Sequence, residues 1–153
     1  IYFSGASVRE SASTEIRYEI FLAKRHIEVK DLAVKDGSLD VDGNGQYDAL
    51  TDGLLLLRDM FGLTDTALVS GAVAANADYR TASALKERIK VLGALTDIDG
   101  NGQIDALTDG LLTLRHLFGL EGDTLINGVV AQDATRDTAE EIEAHLEALM
   151  PAL

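Results

Sequence analysis

Apolar residues recur along this chain in short stripes at helical spacing, and the stripes themselves recur. Ile16, Ile20 and Ala23 are four and three positions apart; Leu85, Ile89 and Leu92 repeat that spacing, as do Ile142, Leu146 and Leu149. This spacing gathers side chains on one face of an amphipathic helix. A second stripe, Leu50, Leu54, Leu57 and Phe61, has its counterpart in Leu107, Leu111, Leu114 and Phe118. Gly62 and Gly119 follow these stripes as helix stops. Smaller apolar groups, Leu68, Val69, Ala72, Val73 and Leu125, Ile126, Val129, Val130, predict a short helix after Asp65 and another after Asp123. A third helix in each set is expected to begin at Thr81 and Thr138, the latter with Glu141 at capping-box spacing. The abundance of leucine and alanine agrees with an all-α fold.

The two sets are copies. Asp40–Leu63 and Asp97–Leu120 overlay at an offset of 57, and 19 of the 24 positions are identical. The pattern divides the chain into an N-terminal segment, 1–38, and two repeats, 39–95 and 96–153. The N-terminal segment holds a predicted helix over 13–23, which reads as the end of an earlier repeat, and a linker over 24–38. Ile27, Val29, Leu32 and Val34 support a short strand or hairpin in that linker, with Asp36-Gly37 as its turn signal. One repeat, a loop and three short helices, is too small to bury its own apolar faces, so the two are expected to pair face to face.

Charge narrows the functional classes. Over 153 residues the formal net charge is −13, which argues against a nucleic-acid surface or an anionic-membrane patch. There is no cysteine, hence no disulfide and no thiolate metal site. No apolar run has the length of a membrane span. The three histidines, His26, His116 and His145, form no catalytic series with serine and aspartate, and no phosphate-cradling loop is present; an enzyme is not expected. His145 is expected at the surface. The chain opens on IYFSGASVRE, without a methionine and without the pattern of a signal peptide, and reads as a piece of a longer protein.

Each repeat opens with oxygen-bearing side chains at alternate positions: Asp40, Asp42, Asn44 and Asp48, then Asp97, Asp99, Asn101 and Asp105. Gly45 and Gly102 permit the sharp turn that lets these oxygens converge. Six to eight converging oxygens are what a hard cation such as Ca2+ requires, and the register matches the first nine positions of an EF-hand loop. Gln46 and Gln103, at the seventh position, would contribute their backbone carbonyls. Two bound Ca2+ per chain would bring the net charge from −13 to −9. An EF-hand closes at its twelfth position with an acid, but Thr51 and Thr108 stand there, and Asp52 and Asp109 come one residue later. Either residue type can supply an oxygen; the chemistry of a hard dication favours the carboxylates Asp52 and Asp109.

In these loops and in the following ALTDGLL and LFG, the chain resembles the dockerin-type calcium-binding repeats of bacterial extracellular proteins, in a longer variant carrying DGNG…ALTDGLL. The resemblance spans Leu39 to about Leu149. It implies an EF-hand-like loop with a single exiting helix, and an extracellular or cell-surface module attached to a larger protein. The 57-residue period is about twice that of dockerin loops, so the connecting structure is expected to differ. Ala49-Leu50 and Ala106-Leu107 stand where dockerins carry small hydroxyl residues for partner recognition, which argues against cohesin as the partner. A protein partner or self-association is expected, with a subunit of a surface filament or layer as the alternative.

Overall fold

A computed structural model describes residues 38–153; the predicted helix over 13–23 and the strand or hairpin over 27–34 lie outside the described residues. Among those residues every regular element is helical, and the same order of elements runs twice. In the first repeat a loop leads through a π-type turn, Ala49–Gly53, into α1 (Leu54–Met60), then α2 (Asp65–Val69) and α3 (Ala82–Leu92). A single 3-10 turn, Gly93–Thr96, joins the halves. The second repeat has its π-type turn at Ala106–Gly110, followed by α4 (Leu111–Leu117), α5 (Asp123–Ile126) and α6 (Ala139–Ala148).

The helix ends follow their sequence signals. Gly62 has φ +81° and Gly119 φ +84°, conformations that cost an L side chain strain and glycine little. The amides of Gly62 and Leu63 reach back to the carbonyls of Asp59 and Arg58, and those of Gly119 and Leu120 to His116 and Arg115. This is the paired bonding of a Schellman stop. Thr81 accepts from the Ala84 amide to start α3, and Thr138 with Glu141 completes a capping box on α6. The second helices are shorter than the apolar groups that predicted them. Helix α2 ends at Val69 and α5 at Ile126, leaving Ala72, Val73, Val129 and Val130 in the segments that follow.

The leucine stripe needs a correction. Leu50 and Phe61 are 64% and 55% exposed, as are Leu107 and Phe118, whereas Leu55, Leu56 and Leu112 are fully buried. The reason lies in the π-type turn, where Gly53 and Gly110 donate five residues back to Asp48 and Asp105. The wider turn rotates the succeeding helix relative to an uninterrupted α-helical reading, so Leu50 and Leu54 no longer share a face. Helix α1 packs against α2 within its own half and against α4 and the Ala106–Gly110 turn across the halves. Leu55 and Leu56 join a core that includes Leu85 and Ile89 from α3 and runs on through Ile98, Leu112, Ile142 and Leu146 of the second repeat.

The other side of α1 meets α4. A Cβ on Gly53 would lie 2.9 Å from Leu114 Cδ1 and 3.2 Å from Leu117 Cδ1; one on Gly110 would lie 2.7 Å from Leu57 Cδ1 and 3.2 Å from Met60 Sδ. The start of each helix thus rests on the far half of the other, so the two run antiparallel with their backbones close. Leu39 donates its amide to the Leu149 carbonyl at 2.9 Å, and the Tyr47 hydroxyl donates to the Pro151 carbonyl. The beginning of the first repeat is thereby tied to the end of the second.

Two carboxylate clusters as candidate metal centres

The alternating acids fold into a tight loop because their own side chains accept the loop's amides. Asp40 accepts from Asn44 through Oδ1 and from Gly45 through Oδ2, both at 3.0 Å. Asp97 does the same with Asn101 and Gly102, at 3.1 and 2.9 Å. Gly43, Gly45, Gly100 and Gly102 all have positive φ, which lets the chain reverse within so few residues.

Asp52 and Asp109 reach back from the π-type turns. Asp52 Oδ1 accepts from the Val41 and Asp42 amides at 2.7 and 3.2 Å, and Oδ2 accepts from Asp48 at 2.9 Å. Asp109 receives Ile98, Asp99 and Asp105 in the same way. The extra residue accommodated by the π-type turn carries the acid at the thirteenth position back to the loop. Thr51 and Thr108 are turned to a different task, donating their hydroxyls to Oδ2 of Asp52 and Asp109.

Three carboxylates therefore converge in each half: Asp40, Asp42 and Asp52, and Asp97, Asp99 and Asp109. One oxygen from each lies within 4.8 Å of the other two. Opposite ligands around a calcium ion span roughly 4.6–5.2 Å, so both groups can hold a metal ion. Asp42, Asp52, Asp99 and Asp109 are completely buried. Among the described residues no lysine or arginine forms an ion pair with any of these six; the ion pair found is Lys86 with Asp59. Desolvation by burial, with a smaller push from the Asp42 charge, outweighs the donated amides and raises the Asp52 carboxyl to about 7; desolvation raises Asp109 as well.

The remaining predicted ligands lie on the same loops. Asn44 and Asn101 turn their side-chain oxygens to the amides of Gln46 and Gln103. Gln46 and Gln103 themselves are exposed. Asp48 and Asp105 sit at the N-caps of the π-type turns, where Asp105 accepts from Leu107 and Thr108; Asp48 makes no such side-chain bond.

Several residues that sequence reasoning passed over hold the loops in place. The Ala74 amide donates to Asp42 Oδ2 at 2.8 Å, and that of Ala131 to Asp99 Oδ2 at 2.9 Å. Tyr79 donates its amide to the Asp42 carbonyl, while Thr135 and Arg136 donate theirs to Asp99. The segments 70–81 and 127–138 are thus straps across the loops, which accounts for much of the long period. Arg58 and Arg115 brace the strap starts by donating to the carbonyls of Leu68 and Ser70, and of Leu125 and Asn127. The signal available in the sequence was the equal spacing of these arginines in the two repeats. His145, expected at the surface, is half-buried with Nε2 2.8 Å from the Leu95 carbonyl. Desolvation lowers its pKa, against the pull of that hydrogen bond.

Comparison with family models, with curated proteins and with solved structures returned no match.

Proposed function

We propose that the chain is a calcium-binding module of an extracellular or cell-surface protein, held folded by two Ca2+ ions, one in each EF-hand-like loop. The observation that carries this reading is the pair of buried carboxylate triplets, none of whose carboxylates is ion-paired with a lysine or arginine among the described residues. Burying several carboxylates together is costly unless a cation compensates them. All-oxygen donors favour a hard cation, and a loop offering many oxygens suits the six to eight ligands of calcium better than the tight, water-retaining octahedron of magnesium. In this reading Asp40, Asp42 and Asp52, with Asp97, Asp99 and Asp109, supply the carboxylates, the closing Asp52 and Asp109 being fixed in place by three backbone amides each. Asn44, Gln46 and Asp48, with Asn101, Gln103 and Asp105, complete the shells through side-chain or backbone oxygens. The module works by binding and presentation rather than by catalysis.

The test is calorimetric titration of chelator-stripped protein with calcium chloride, paired with melting in calcium and in chelator. Two sites per chain are expected. Occupancy at 100 times the dissociation constant adds about 2.7 kcal/mol per site, a large share of a typical domain stability of roughly 5–15 kcal/mol. Absence of binding heat together with one melting temperature under both conditions would refute the proposal.

A second reading, a subunit that self-assembles into a filament or layer, is favoured by the apolar side chains left outside. Leu50 and Leu107 are equally exposed, and so are Phe61 and Phe118, giving each repeat the same apolar pair. Size-exclusion chromatography and negative-stain microscopy, with and without calcium, separate a monomer from an assembly.

A further inference from the structure

Overlaid at their 57-residue offset, the two repeats make the same contact to the metal loop from different places in the chain. In the first repeat Arg88, on α3, donates Nε to the Val41 carbonyl and Nη2 to the Asp40 carbonyl, both at 2.8 Å. Its positional equivalent on α6 is His145, which reaches the Leu95 carbonyl instead. The second loop is nevertheless held by an arginine. Arg136, on the strap, donates Nε to the Ile98 carbonyl at 2.7 Å and Nη2 to the Asp97 carbonyl. The positional equivalent of Arg136 is Tyr79, whose ring lies under the Arg88 guanidinium, 4.1 Å from centroid to Cζ. Tyr79 and Arg88 have thus become Arg136 and His145. Each loop keeps one guanidinium clamp, hosted on the helix in the first repeat and on the strap in the second.

The contact suits a loop that must gather carboxylates. A planar fork bonding two successive carbonyls fixes the peptide planes that carry the first acid of the loop. It also sets a permanent positive charge behind the backbone without occupying any carboxylate oxygen. We propose that Arg88 and Arg136 are positioning residues for the two metal loops, and that the strap and helix positions are interchangeable hosts for the same guanidinium clamp. This rests on the reading of the loops as calcium sites.

The experiment rebuilds the first repeat's arrangement in the second. The whole chain carrying Arg136→Tyr, and the chain carrying Arg136→Tyr with His145→Arg, are titrated with calcium chloride and melted in chelator beside the original protein. The single substitution should weaken one of the two sites about tenfold or more, the scale of two lost charge-assisted hydrogen bonds. The double substitution should bring that site back to within about threefold of the original. Loss of an unspecific packing residue would not be repaired by a second change, so the rescue is the decisive readout. An unaltered affinity in the single variant overturns the positioning role; a double variant as weak as the single overturns the exchange. If the single variant does not fold, a folded double variant with two sites counts as rescue, and an unfolded one overturns the proposal. If the original protein binds no calcium, the calcium reading fails by itself. The clamp then stands or falls on the melting temperature in chelator, which the single change should lower and the double restore.

Discussion

Metal-free protein should lose stability as the pH rises from 4 to 8, the reverse of ordinary acid denaturation. Asp52 is completely buried, and its carboxyl is raised from 3.8 to about 7. A native pKa above the unfolded one means that the folded protein holds the proton more tightly. The associated stability is complete below pH 3.8 and is lost as the pH climbs through about 7. That rise corresponds to about 4 kcal/mol, and a fall in melting temperature on the order of 10 °C for a chain of this size. Asp109 is raised too and adds an effect of the same sign. His145 works against them: its lowered pKa favours the neutral ring in the folded state, a contribution lost as the pH drops below about 6.5. Glu141, with its pKa lowered by the Thr138 cap, also opposes them, but it is exposed and screened. The assay is thermal unfolding in chelator at half-unit pH steps, alongside Asp52→Asn, which removes the Asp52 contribution and should flatten the curve. A melting temperature that rises steadily from pH 4 to 8 in the original protein would refute the reasoning. So would an unchanged slope in the variant.

Three further outcomes are expected. Asp52→Asn should weaken calcium binding at the proposed first site far more than Thr51→Val, because the Thr51 hydroxyl donates to the Asp52 carboxylate; the opposite order in calcium titrations would assign the closing ligand to threonine. Gly53→Ala and Gly110→Ala should each lower stability by up to about 1–3 kcal/mol in denaturant unfolding, less about 1 kcal/mol of gained helix propensity, since the added methyl meets Leu114 in one case and Leu57 in the other; a net gain of about 1 kcal/mol in both would mean that α1 and α4 leave room for the methyl groups. Thr138→Ala removes the α6 capping box and should cost about 0.5–2 kcal/mol, read from the urea midpoint.

The loops were legible because an acid-rich turn whose side chains bond its own amides is local. Asp40 and Asp42 sit near Asn44 and Gly45 in sequence as in space, and the duplicate at Asp97 removes ambiguity. The choice between Thr51 and Asp52 was legible only in ligand chemistry. What brings Asp52 to the loop is a π-type turn, and its hydrogen bond from Gly53 to Asp48 leaves no distinctive composition behind. The same turn misled the reading of the leucine stripe, since 3.6-residue periodicity was carried through a segment that does not obey it. Ala74 and Ala131 were invisible for another reason: they serve through backbone amides, to which side-chain identity gives no clue. Arg88 and Arg136 were hidden because they do not align with each other. His145 read as exposed beside an amphipathic stripe, yet the Leu95 carbonyl gives its ring a buried partner.

The stitch between Leu39 and Leu149 sets how the module would carry tension. The backbone enters the first loop and leaves α6 at neighbouring points, so residues 39–149 span almost no distance between those points. A pull along that polypeptide first opens the Leu39–Leu149 hydrogen bond and the Tyr47–Pro151 contact, peeling the two ends apart instead of shearing the leucine core. The next residue under load on the entry side is Asp40, the first acid of the first loop. If the loop holds an ion as proposed, mechanical resistance would depend on its occupancy, because the load next falls on the first acid of the loop.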